Sequence, residues 1–235
     1  MTGNRHRGVT PEDRAKAAAM PLFAGVPADE VEALLAEAAA LELEPGATLF
    51  SEGDAAESFF LLLDGMVKIF RSSPKGNQDV LQVFQAGEAV GLVALFGRQV
   101  YPAGGEAIHK SRLLVVKRAH LMARLESSPG LAEKVGEAVA RRRSMLVGEV
   151  TRIIQKTPLQ RLAGLLLDYC HDQRTGPIDI HLPFDRRVLA ARIGIAPENL
   201  SRDLAKLARY GVKVKGRRIS VADVAHLHRL YQSKA

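Results

Sequence analysis

Residues 183–211, PFDRRVLAARIGIAPENLSRDLAKLARYG, constrain this chain more than any other stretch. They read as two short helices joined by a tight turn. Asp185 can cap the first helix, whose apolar face is Val188, Leu189, Ala191 and Ile193. Gly194 offers the positive φ needed where the chain reverses. Pro197 fits a first helical position, where its missing N–H has no partner to lose. The second helix carries Leu200, Leu204, Leu207 and Ala208 on one face and Glu198, Ser201, Arg202, Lys206 and Arg209 on the other. An apolar stripe opposite a polar face suits any surface helix. The order is more specific: helix, glycine turn, then a helix with base-reading side chain types in its first turns. It predicts a helix-turn-helix whose second helix enters the major groove of DNA by its N-terminal residues.

The charge agrees. Residues 151–235 hold 16 Lys and Arg against 7 Asp and Glu, whereas the first 150 hold 17 against 19. The excess that makes the whole chain +7 therefore sits beside the helix pair, as expected of a domain that meets phosphates. Lys215-Gly216-Arg217 joins two short runs, Val212–Val214 and Arg218–Val221, and reads as the tip of a basic hairpin, a wing. Lys206, Arg209, Lys215, Arg217 and Arg218 are the candidate phosphate contacts, which position without reading sequence. Thr157 caps the helix that opens this part of the chain.

The region 43–118 has a different rhythm. Glycines at 46, 53, 65, 76 and 87, spaced 7, 12, 11 and 11 apart, punctuate short apolar or alternating runs. That interval fits an antiparallel barrel or sandwich. Strands are expected at Thr48–Phe50, Ser58–Leu63, Met66–Ser72, Asp79–Phe84, Tyr101–Ala107 and Arg112–Lys117, with a short helix over 91–99. Upstream, an arm over 1–21, irregular at first and then helical by residue 19, precedes a helix capped by Asp29 that continues through the alanines of 36–40. Downstream, Ser127 or Ser128 with Pro129 opens a long helix on which Val135, Val139, Arg142, Leu146, Glu149 and Ile153 recur at spacings of four and three. This seam could pair with a second copy of itself; the alternative is a helix packed on its own barrel. The fold class is α+β, divided as arm 1–21, β-roll (jelly-roll) sensor 22–126, dimerisation helix 127–154 and winged helix-turn-helix 155–235.

Several function classes fall away. There is no nucleophile elbow, P-loop, HExxH or CxxC, so an enzyme is not expected. No apolar run approaches a membrane span, and the first residues lack the apolar core of a secretory signal. The one cysteine, Cys170, cannot build a disulfide within the chain or a four-cysteine iron–sulfur cluster. A cytoplasmic location is expected. A β-roll adaptor that binds a small ligand and a partner protein is the rival class, but it has no use for Glu198, Ser201 and Arg202 beside a basic wing.

Barrel, long helix and winged helix-turn-helix together resemble the CRP/FNR superfamily of bacterial transcription regulators. The resemblance spans about residues 22–231. It is carried by FLLLDGMVKIFRSSPKGNQDVLQVFQAGEAVG, by the long helix, and by ARIGIAPENLSR followed by the basic wing. It implies a homodimer on a twofold inverted repeat of double-stranded DNA, an effector received by the β-roll, and RNA polymerase as a candidate partner. In relatives that look like FNR, a recognition helix with Glu, two residues, then Ser-Arg reads a TTGAT half-site; here these are Glu198, Ser201 and Arg202. The chemistry is sound, since a carboxylate can accept from cytosine N4 and an arginine fork can donate to guanine O6 and N7. Relatives preferring TGTGA carry an additional arginine where this chain has Pro197.

The resemblance also locates the effector site. Cyclic-nucleotide relatives place a glutamate and an Arg-Ser or Arg-Thr pair in the stretch that here reads AVGLVALFGRQVYPAGGEA. Leu92 stands at the glutamate position and Tyr101-Pro102 at the Arg-Ser position. An apolar residue cannot hold ribose hydroxyls, and no arginine meets the phosphate, so cyclic AMP and cyclic GMP are not expected. Tyr-Pro-Ala with GMVKIFRSSPKG is similar to the nitric-oxide-responsive branch that controls denitrification or nitrosative-stress genes, some members of which bind haem. On that resemblance a haem is a candidate cofactor, with His109, His120 and His171 as candidate ligands.

Overall fold

A computed structural model describes residues 5–72, 78–141, 156–170 and 173–233. Arg142, Leu146, Ile153 and His171 lie outside them. The chain divides into two compact units, one N-terminal and one C-terminal.

The N-terminal unit is a roll of two antiparallel sheets. One sheet orders β1 (Arg5–Arg7), β2 (Ala39–Leu43), β9 (Ser111–Lys117), β4 (Ser58–Asp64) and β7 (Ala89–Val90). The other orders β3 (Thr48–Phe50), β8 (Gly104–Ala107), β5 (Met66–Ser72) and β6 (Gln78–Gln85). β4 reads SFFLLLD and buries Phe59 through Leu63 in succession. Alternation is absent because both faces are covered: one looks into the roll, and helix α1 (Pro11–Ala18) packs on the strand.

Helix α1 and β1 belong to the stretch read above as an arm, and both are built onto the roll. Thr10 and Asp13 form a capping box at the start of α1. Arg112 on β9 then grips Asp13, its Nε and Nη2 each 2.6 Å from a carboxylate oxygen, while its Nη1 donates to Glu42 at 2.8 Å. The arginine is 99 residues from Asp13, so no local pattern could announce the docking. Helix α2 (Ala28–Leu35) begins after Pro27; Asp29 lies in its first turn and is not the cap. The helix also stops earlier than the alanine run suggests. β2 starts at Ala39, pairs with β9 and buries Ala40, Leu41 and Leu43. Pairing with a central strand overrides the helix preference of alanine. The short helix expected over 91–99 reduces to a 3-10 turn, Leu92–Leu95, and the strand expected from Tyr101 begins at Gly104.

Helix α3 (Arg118–Ser127) is followed by α4, helical over 129–141 among the described residues. Ser128 is the residue that caps α4. Its Oγ accepts from the Leu131 N–H at 3.2 Å, and its hydroxyl is also hydrogen-bonded to Glu30 of α2. Leu131 and Val135 are fully buried in the core of the roll, and Ala138 and Val139 pack against it. The first turns of the long helix are thus covered by the chain's own β-roll. Val135, 2% exposed, has no surface left to give to a seam between copies.

The C-terminal unit contains α5 (Pro158–Asp168), β10 (Ile178–His181), α6 (Arg186–Arg192), α7 (Pro197–Leu207), β11 (Val212–Lys215), β12 (Arg218–Val221) and α8 (Val224–Gln232). Strands β10, β12 and β11 form an antiparallel sheet in that order. Thr157 caps α5 through a capping box with Gln160. Gly164 lets α8 lie close on α5, since a Cβ there would stand 2.7 Å from the Tyr231 ring. No helix among the described residues is long and apolar enough to cross a membrane.

Candidate nucleic-acid interface and sensor site

The recognition pair is assembled by local rules. Asp185 Oδ1 accepts from the N–H groups of Arg187 and Val188 at 2.9 and 3.0 Å, capping α6. Gly194 takes φ +66° in the turn, and Pro197 opens α7. Ala196 has the extended backbone of an N-cap but no side chain acceptor. Leu200, Leu204 and Leu207 bury one face of α7, at 1, 7 and 0% exposure. Glu198, Ser201 and Arg202 are all exposed on the opposite face. Their spacing of three and four places them in one stripe over the first two turns.

The wing stands beside this stripe. β11 and β12 pair antiparallel, and the two-residue connection starts at Gly216, whose φ of +64° fits a primed hairpin turn. The amide of Leu182 donates to the carbonyl of Arg217 at 2.9 Å, tying the hairpin turn to the residue after β10. A cleft of about 390 Å³ runs between α7 and β11, bordered by Arg186, Ser201, Ala205 and Lys213. Arg209, Lys215, Arg217 and Arg218 are exposed, as phosphate contacts must be. Lys206 differs: its Nζ lies 2.8 Å from Oδ1 of Asp203, a carboxylate that is 7% exposed. Its charge is shared with an acid on the core side of the same helix, which the sequence pattern did not single out.

In the β-roll, Leu92 and Tyr101 are both buried in the core. The Tyr101 ring stacks on Phe50 with centroids 3.9 Å apart and planes 11° from parallel; Phe60 lies 5.8 Å from Phe50. Tyr101 Oη donates to the carbonyl of Ser58 at 2.5 Å. Burial pushes this phenol up to about 12, so it stays protonated and a donor. Two glycines make the room. A Cβ at Gly91 would stand 3.1 Å from Tyr101, and one at Gly105 would stand 2.9 Å from Phe50. Pro102 is exposed, and its carbonyl accepts from Arg71 Nε and Nη2 at 3.2 and 3.0 Å.

The histidines are placed differently. His120 Nε2 lies 2.9 Å from the Ala33 carbonyl and its Nδ1 lies 3.5 Å from Glu37. One ring nitrogen is thus held by a backbone carbonyl, and the other faces a carboxylate. His109 is half-buried after β8, and its carbonyl accepts from Ser111 Oγ at 2.7 Å. No group of three or more His, Cys, Asp or Glu among the described residues is arranged to hold a metal ion.

Both halves match known families. Residues 40–128 match the cyclic nucleotide-binding domain, and residues 160–230 match the Crp-like helix-turn-helix domain; together they span more than half of the chain. The chain is a CRP/FNR-family transcription regulator. The cyclic AMP receptor protein of Thermus thermophilus is 28% identical over 82% of this chain and 87% of its own length. The nitrogen fixation regulation protein FixK of Bradyrhizobium diazoefficiens is 26% identical over 79% of this chain and 78% of its own. The structure of FixK2 from Bradyrhizobium japonicum shares the fold at a TM-score of 0.72 and 22% identity, covering 84% of this chain and 99% of that one.

As a CRP/FNR-type regulator the protein binds DNA and is not an enzyme. Two residues that shape the interface escaped the motif. Asp203 looked like one more polar residue on a polar helix, although its position three after Leu200 and four before Leu207 puts it on the core side. Arg161 on α5 reaches the turn between α6 and α7, and nothing near it in sequence signals that reach.

Proposed function

We propose that this regulator acts as a twofold pair on a TTGAT-like inverted repeat, with Glu198, Ser201 and Arg202 reading base edges. The supporting observation is their exposure as one stripe on the first two turns of α7, directly opposite the face that α7 buries. No intramolecular contact competes for Arg202 among the described residues, so its guanidinium is available to a guanine edge. Arg209, Lys215, Arg217 and Arg218 supply phosphate contacts on either side. In a twofold pair the half-site centres fall roughly one helical turn apart. The seam between copies is assigned to Arg142, Leu146 and Ile153, with Val139 at its edge. RNA polymerase is the partner that the bound pair would meet, and the cytoplasm is where it would work.

A cyclic nucleotide is not the signal we infer. Beside Leu92, a Cβ at Gly91 would meet the rings of Tyr101, Phe60 and Phe50, and two arginines on this part of the roll are turned to backbone carbonyls, Arg71 to Pro102 and Arg118 to Leu95. Packed rings and arginines already held by carbonyls do not favour a cyclic phosphate there. A small neutral or redox signal is the better match, and nitric oxide acting through haem is one version of it. Its candidate ligands are His109, His120 and His171. When bound, haem would supply the iron to which nitric oxide adds; no residue role described here depends on it.

A gel shift tests the DNA reading: a duplex carrying the TTGAT inverted repeat should bind in preference to a scrambled duplex of equal length. Equal binding to both sinks the assignment. Purification with haem tests the signal. A protein that takes up no stoichiometric haem, or whose Soret band stays fixed under nitric oxide, ends that version.

A further inference from the structure

Arg161 takes no part in the base-reading stripe or the phosphate contacts. It is half-buried on α5, and its guanidinium spans two carbonyls. Nε donates to Ile193 at 2.8 Å, and Nη1 donates to Lys156 at 3.1 Å. Ile193 is the residue on which α6 closes, with φ −94° and ψ 4°, and Gly194 turns the chain immediately after it. The last carbonyls of a helix lack intrahelical partners and carry the negative end of its dipole. For α6 a cation is brought to that end from 32 residues away.

The other end of the bridge is equally well held. Lys156 precedes the Thr157 cap of α5. Its Nζ donates to the Tyr231 carbonyl at 2.8 Å and lies 5.1 Å above the Tyr231 ring. Gln160, inside the same capping box, donates to the Ser233 carbonyl at 2.8 Å. The entry to α5 is therefore fastened to the end of α8, and Arg161 carries that fixed point to the turn in front of α7.

We propose that Arg161 is a positioning residue for sequence reading. It locks the turn ahead of α7 to the entry of α5 and so sets the angle at which Glu198, Ser201 and Arg202 meet the bases. This rests on the base-reading assignment above. Arg202 lies five residues along α7 from Pro197, roughly 8 Å at the helical rise, so a tilt of about 10° moves it by about 1.3 Å, enough to spoil a base-edge hydrogen bond. Phosphate contacts from long lysine and arginine side chains absorb such a shift. The guanidinium is required because it is a planar fork; a lysine keeps the charge but cannot span both carbonyls in one plane.

The test compares wild type with Arg161→Lys and Arg161→Met. Two quantities are read: the ratio of affinities for the TTGAT repeat and a scrambled duplex, by fluorescence anisotropy, and amide hydrogen exchange over residues 193–199 without DNA. Arg161→Lys should keep its thermal midpoint and its affinity for the scrambled duplex. It should lose about tenfold in the ratio, the size of one charge-assisted hydrogen bond, and exchange faster over 193–199. Arg161→Met should go further in both. A wild-type ratio in Arg161→Lys overturns the proposal, and so does a parallel fall of both affinities with the thermal midpoint, which marks a folding role. Should Arg161→Met fail to fold, the lysine variant decides alone. If wild type itself does not distinguish the duplexes, the base-reading assignment fails separately. Exchange over 193–199 then judges the lock, and unchanged rates in Arg161→Lys overturn it.

Discussion

Arg112 in the β-roll and Arg202 on the recognition helix carry the same charge in opposite surroundings. Arg112 holds both oxygens of Asp13 and one of Glu42, and those carboxylates are 5 and 18% exposed. Arg202 stands exposed, on a face that α7 does not bury. The same contrast separates Tyr101, whose hydroxyl meets the Ser58 carbonyl inside a stack of rings, from Ser201, which borders an open cleft. In the roll, polar groups close on one another and removal leaves an unsatisfied partner. In the winged unit, several polar groups can be removed without disturbing any internal bond. A side chain that the fold does not need is the one whose role is most safely assigned to something outside it.

Stability measurements can break this contrast most sharply. Tyr101→Ala should lower the stability of the N-terminal unit by about 3–5 kcal/mol, the usual range for emptying an aromatic site in a core. Urea unfolding followed by circular dichroism checks it. A loss below about 1 kcal/mol would mean that the site around Phe50 is open space and not packing. Arg112→Met should follow at about 3 kcal/mol, the low end for removing one partner of a buried pair, because Asp13 would stay buried without its cation.

Acidity tests the same pair. The Arg112 guanidinium beside Asp13 holds its carboxyl well below the usual carboxylate range. The stabilisation is therefore complete above about pH 5 and is lost as pH falls through the unfolded value near 3.9 toward the lower folded one. Asp13→Asn should flatten the acid limb of the stability profile. A limb unchanged by that substitution would assign the acid sensitivity to other groups.

The two units also differed in how far they could be read from sequence. The cap at Asp185, the Gly194 turn, Pro197 and the buried leucines of α7 all obey rules acting within four residues, and each lies where those rules put it. The strand rhythm of the roll was legible for the same reason, with Met66–Ser72 and Thr48–Phe50 in place. What failed was decided at a distance. Ala39 and Ala40 favour helix until β9 pairs with them, and Asp13 looks like an arm residue until Arg112 arrives. Val135 fits a seam between copies as well as it fits the core of the roll, because both want an apolar stripe. Leu92 and Tyr101 could be named as effector-pocket candidates, but their packing could not be read, since an apolar residue at a pocket position reads the same whether the pocket is open or filled.

DNA measurements sharpen the contrast within the winged unit. Arg202→Ala should cost about 1–3 kcal/mol on the specific repeat and relax preference at the contacted base pair. Lys215→Ala should weaken specific and scrambled duplexes alike and reduce the salt slope by about one. Both are read by anisotropy titration at several salt concentrations. If the two variants behave identically, the separation of base-reading stripe from phosphate-binding wing is wrong.

The smallest effect concerns Ala196. Its φ of −67° and ψ of 142° are those of an N-cap, yet its side chain offers no acceptor to the first N–H groups of α7. A serine oxygen there could accept from the N–H of Asn199, which now meets only the Ala196 carbonyl at 3.0 Å. Ala196→Ser should therefore stabilise the winged unit by about 0.5–1 kcal/mol, read as a higher midpoint in thermal unfolding. Its effect on DNA says what the bare helix end is for. If the free N–H groups face water in the complex, the affinity for the repeat should hold or rise slightly with the better-ordered helix. If they face a phosphate, the serine competes with the backbone of the DNA, and affinity falls while stability rises. The same substitution thus asks of a helix terminus what the comparison of Arg112 with Arg202 asks of a side chain, namely whether its open valence belongs to the fold or to the ligand.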